Sequence, residues 1–64
     1  MKYADFKQHV REVMGPWVQF TVLDHDGVRV TSLDARFEVH GKAIQACRTR
    51  ADVESLVRHE VARR

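Results

Sequence analysis

The chain has 64 residues, 44% of them apolar, with one cysteine and a formal charge of +2 from eleven Lys and Arg against nine Asp and Glu. A domain of this length buries only about 60% of its unfolded surface, so stability is marginal and a homodimer is an expected form of support. A lone cysteine excludes an intramolecular disulfide, no basic segment precedes an apolar run as in a signal peptide, and no run approaches the roughly 20 residues of a membrane span. These features point to a soluble protein of the reducing cytoplasm with no membrane partner.

The net charge is too small to argue for nucleic acid, but it is uneven. Residues 1–35 carry four basic and five acidic groups, a net −1, whereas residues 36–64 carry seven and four, a net +3.

Tyr3, Phe6, Val10, Val13 and Met14 recur at helical spacing with charged residues between them, which predicts an amphipathic helix over residues 2–14. Gly15-Pro16 ends it, because glycine accepts a left-handed cap and proline cannot continue a helix. Trp17 follows as the expected first residue of a sheet, and so short a connection folds the helix back across the strands.

From Trp17 to Cys47 apolar and polar residues alternate in four short runs separated by turn signals, the pattern of half-buried strands. Asp24-His25-Asp26-Gly27 reads as a type I turn followed by a left-handed glycine, which opposes Asp24 with Val28, Val22 with Val30 and Phe20 with Ser32. A reversal around Leu33-Asp34 opposes Val30 with Phe37, Val28 with Val39, Thr31 with Arg36 and Arg29 with Glu38. His40-Gly41 reads as a two-residue hairpin turn with a positive-φ glycine, opposing Phe37 with Ile44 and Ala35 with Ala46.

The three registers agree on one apolar face: Val18, Phe20, Val22, Val28, Val30, Ala35, Phe37, Val39, Ile44 and Ala46. The other face carries Gln19, Thr21, Arg29, Thr31, Arg36, Glu38 and Gln45. On that same face lie Trp17, Leu33 and Cys47, expected to cluster at one end with Leu33 opposite Gln19, and Leu23 at the far end. Residues 42–48 also have good helix propensity; a strand is preferred because it sets Ile44 on Phe37 and Ala46 on Ala35.

Thr49-Arg50-Ala51-Asp52 resembles a capping box with Asp in place of Glu, and Val53, Leu56, Val57 and Val61 supply a second apolar stripe. This predicts a helix over Arg50 to Arg63 with Arg50, Glu54, Arg58 and His59 on its outer face. The expected fold is a single α+β domain, residues 1–64, of order α-β-β-β-β-α. An N-terminal helix, a four-stranded antiparallel meander and a C-terminal helix form two layers, both helices on one sheet face.

The order helix, antiparallel strands, helix resembles the double-stranded-RNA-binding domain in architecture alone. That family opens its last helix with a Gly-rich, Lys-Lys-containing stretch, where this chain has Thr49-Arg50-Ala51-Asp52. No residue roles carry over.

No convergent nucleophile, base and orienting partner is visible, since Cys47 and His40 fall at opposite ends of their strands, and no enzyme or cofactor is expected. Asp24, His25, Asp26 and His40 gather at one sheet edge and have metal-binding side chains, but Asp and His are also ordinary turn residues, and no metal site is expected. Nucleic-acid binding would use Arg48, Arg50, Arg58, Arg63 and Arg64 of the last helix with the open sheet face. Interleaved Glu38, Asp52, Glu54 and Glu60 dilute that field.

The favoured expectation is a small non-enzymatic regulator or inhibitor that occupies a surface of a protein partner through Trp17, Leu33, Leu23, Arg29 and Arg36. Trp17 wrapped onto the first helix as core is the plainer alternative. An initiator Met followed by one compact domain suggests a complete small gene product. By size alone, it compares with phage and mobile-element regulators such as anti-CRISPR proteins.

Overall fold

Apolar residues three and four apart wind Tyr3–Met14 into α1, which buries Phe6 and Val10. Gly15 ends the helix at φ 102°, and its N–H donates to the Arg11 carbonyl at 2.8 Å, so a side chain there would strain the backbone. Three strands follow, β1 (Gln19–Leu23), β2 (Gly27–Thr31) and β3 (Arg36–His40), then α2 (Gly41–Ala46) and α3 (Arg50–Ala62). The computed structural model describes residues 1–24 and 26–63.

The strands form an antiparallel sheet in the order β1-β2-β3. Between β2 and β3 the register is the expected one: Val30 opposes Phe37, Val28 opposes Val39, Arg29 opposes Glu38 and Thr31 opposes Arg36. Ser32 closes the loop twice over, its N–H donating to the Ala35 carbonyl at 2.7 Å and its hydroxyl oxygen accepting from the Ala35 N–H at 3.1 Å.

The first hairpin departs from expectation. Leu23 pairs with Gly27 and Val22 with Val28, a register displaced by two residues from the predicted one. The left-handed residue is Asp26, at φ 45°, rather than Gly27. Aspartate tolerates that conformation, so the loop closes one residue earlier and glycine is freed to begin β2. A two-residue displacement leaves every side chain on its predicted face, because strand side chains alternate with a period of two.

The structure also corrects the fourth strand. Residues 41–46 coil into α2, and the predicted pairings of Phe37 with Ile44 and Ala35 with Ala46 do not form. Gly41 shows why the chain turns there. Its N–H donates to the Asp26 carbonyl at 2.6 Å, and a Cβ would come within 2.7 Å of the Asp26 carboxyl group. The glycine therefore serves close approach to the first hairpin, not a positive φ. Beyond this tie, the helix propensity of Lys-Ala-Ile-Gln-Ala prevails, burying Ile44 and leaving Ala46 exposed.

Thr49 caps α3 as predicted. Its side chain accepts from the Asp52 N–H, and the Asp52 carboxylate accepts from the Thr49 N–H at 3.2 Å and the Arg48 N–H at 2.9 Å. These bonds hold the Asp52 carboxyl below the usual carboxylate pKa.

Phe6 and Val10 of α1, Val28, Val30, Phe37 and Val39 of the sheet, and Ile44, Cys47, Val53 and Val57 share one core. The main helices thus cover a single sheet face, as expected. Coverage is uneven across that face. β2 and β3 bury alternate residues, whereas β1 buries none. Val22, predicted for the core, is 73% exposed, although Val28 directly opposite is 1% exposed.

Candidate functional site: the open sheet face and its exposed end

Strand alternation turns Gln19, Thr21, Leu23, Arg29, Thr31, Arg36, Glu38 and His40 away from the helices. At its centre Arg29 and Glu38 oppose each other, with the Arg29 Nε and a terminal nitrogen donating to Glu38 Oε2 at 3.2 and 3.0 Å. Both side chains are substantially exposed, so the pair orders this surface more than it stabilises the fold. Leu23 is half-buried at one end. There it borders a hollow of about 340 Å³ shared with Asp24, Arg29, Glu38 and His40.

Trp17 and Leu33 stand at the other end, 82% and 92% exposed. Trp17 is therefore neither core nor the first residue of the sheet, which begins at Gln19. The displaced first hairpin also revises Leu33's neighbour. Gln19 opposes Thr31, where the ladder ends, so Leu33 lies in the loop between β2 and β3 rather than opposite Gln19, at the same end of the sheet as Trp17. Cys47, expected beside them, instead caps the C-terminus of α2 and is buried, because the chain coiled where a strand was predicted.

Burial pushes the Cys47 thiol pKa up, and the Asp52 carboxylate adds to the effect. A buried thiol held protonated is a poor nucleophile. Of the predicted edge cluster, Asp26 and His40 both border the groove around Gly41, while His25 lies outside the described residues. Among the described residues no three His, Cys, Asp or Glu side chains assemble as a metal site. No helix among them is long and apolar enough to cross a membrane.

Three of the five arginines singled out for phosphate are engaged with carboxylates. Arg50 reaches Glu12 of α1 at 3.2 Å, Arg58 meets Glu54 at 2.8 Å, and Arg63 lies 3.5 Å from Glu60. Arg48 is exposed, and its backbone N–H belongs to the α3 cap. Arg36 is exposed on the open face and makes contacts of its own; Arg64 lies outside the described residues. Sequence reasoning missed the Glu12 to Arg50 bridge, since no local pattern links a residue of the first helix to one of the last.

The chain matches no protein-family model, no curated protein and no solved structure at a significant level.

Proposed function

We propose that this protein is a non-enzymatic binding module that regulates or inhibits a protein partner by occupying its surface. The observation that carries this reading is the exposure of Trp17 and Leu33, two large apolar side chains left almost wholly in water at one end of the sheet. Tryptophan is a frequent interface anchor, and an exposed apolar pair rimmed by polar groups is the usual form of a protein contact. Arg29, Glu38 and Arg36 supply a mixed-sign rim along the open face, and Leu23 extends it at the far end.

Charge supports a protein target over nucleic acid. Phosphate binding needs a continuous cationic strip, and Arg50, Arg58 and Arg63 of this region are each paired with a carboxylate. The high thiol pKa and burial of Cys47 support a non-catalytic role.

The test is capture of a partner from host lysate, with nuclease controls, by the immobilised wild type and by Trp17→Ala and Leu33→Asp. Both variants lose the captured protein and keep the wild-type circular-dichroism spectrum, because neither side chain contributes to the core. Capture unaffected by both substitutions overturns the reading. So does nuclease-sensitive capture together with generic DNA or RNA binding that weakens steeply with salt, which would favour the arginines of α3.

A further inference from the structure

We infer that the outer edge of β1 is a strand-addition site for a second copy of this chain, joining two three-stranded sheets into one of six. This goes beyond the surface formed by Trp17 and Leu33 and does not depend on it.

β1 has β2 on one side and no strand on the other. Among the described residues, no hydrogen bond beyond its pairing with β2 satisfies the backbone of Gln19–Leu23. Such an edge offers a row of unpaired N–H and C=O groups to any extended chain, and folded proteins ordinarily block it with charge, proline or a bulge. β3, the other edge, has that protection: Arg36, Glu38 and His40 are three of its five residues, and α2 and α3 pack against it. β1 reads Gln-Phe-Thr-Val-Leu and carries no charge, proline or bulge of its own; the Arg11 guanidinium of α1 lies 5.1 Å from the centre of the Phe20 ring.

Self-complementarity commits the edge to a second copy. Two β1 strands run antiparallel about a two-fold axis through Thr21, so Thr21 opposes its own counterpart, Phe20 opposes Val22, and Gln19 opposes Leu23. All five residues overlap, β1 brings no charged residue to the pairing, and side chains of one face meet side chains of the same face. The half-buried Phe20 of each copy then covers the exposed Val22 of the other. The two separate cores become continuous across the joint, and β1 acquires the burial that the isolated chain denies it. Closed two-fold dimers are the commonest soluble oligomers, and a partner that binds the folded chain stabilises it.

Sedimentation equilibrium of the wild type from micromolar to millimolar concentration, beside Val22→Lys and Thr21→Lys, tests this. The wild type forms a dimer as concentration rises. Both variants remain monomers with unchanged circular dichroism, since Val22 and Thr21 are exposed in the single chain and each lysine sets a charge into the joint. Thr21→Cys cross-links to itself under mild oxidation, while Gln19→Cys, placed opposite Leu23 of the second copy, does not. A wild type that stays monomeric throughout the range overturns the inference. So does a dimer that both lysine variants retain, which would place the contact elsewhere.

Discussion

Replacing Val28 and Val22 by alanine, one at a time, sets identical chemistry at two directly opposed positions on the same sheet face. Val28 is 1% exposed and Val22 73%, so the two changes should differ severalfold in cost. Each removes two methyl groups. At about 0.8 kcal/mol per buried group plus the cavity left behind, Val28→Ala destabilises by about 2–3 kcal/mol. Val22 has about a quarter of its surface to lose, so Val22→Ala costs roughly 0.4 kcal/mol by the same transfer scale.

A 64-residue domain has about 3–10 kcal/mol of total stability at ordinary per-residue values, so the first loss is severe and the second hardly visible. At about 4–8 °C per kcal/mol for a domain of this size, Val28→Ala lowers Tm by roughly 10–20 °C and Val22→Ala by about 2–3 °C. The measurement is thermal and urea unfolding followed by circular dichroism on dilute protein, where the single chain dominates. Comparable losses in the two variants would refute the claim that the helices cover β2 and leave the β1 end of this face open. At high concentration a larger penalty for Val22→Ala is expected, because the proposed β1–β1 pairing buries that side chain.

Thr49→Ala removes the α3 cap and costs about 1 kcal/mol, read as a fall in Tm with little change in the urea m-value. Because the folded state lowers the Asp52 pKa below its ordinary 3.8, the stabilisation it provides is complete above that value and is lost as pH falls through the native one. Asp52→Asn should therefore flatten the acid limb of an unfolding curve; an unchanged limb would contradict the capping geometry. Cys47 should react slowly with a thiol reagent in the native protein and rapidly in urea, since it is buried with a raised pKa. Trp17 fluorescence should be that of a solvated indole, quenched freely by iodide and shifted little on unfolding, whereas a buried-type emission maximum in the dilute native chain would show that the ring is covered.

The two helices and the buried face could be read in the chain because each rests on a period. Stripes at helical spacing marked α1 and α3, and alternation marked which side of β2 and β3 faces inward. The face survived an error in register because the first hairpin slipped by two residues, and parity is what assigns a side chain to a face. The fourth strand failed where local signals conflicted. Ile44 is buried whether residues 42–48 extend or coil, so its apolar character could not discriminate, and Gly41 was read as a positive-φ turn when its function is to let the Asp26 carboxyl approach. That contact joins residues far apart in the chain and has no local signature. The misplacement of Cys47 follows from the same fold of the chain, while the exposure of Trp17 and Leu33 was an expectation of alternation alone.

The unlike margins of the sheet have a consequence for stoichiometry. One side has no charged residue of its own, and the other carries Arg36, Glu38 and His40 on the open face while helices pack on its inner one. A molecule sticky on both sides would polymerise into ribbons, as amyloid-forming segments do. In the proposed pairing, adhesion is confined to a single margin and is used up after one encounter, so assembly halts at a pair and the chain can be abundant without forming fibres.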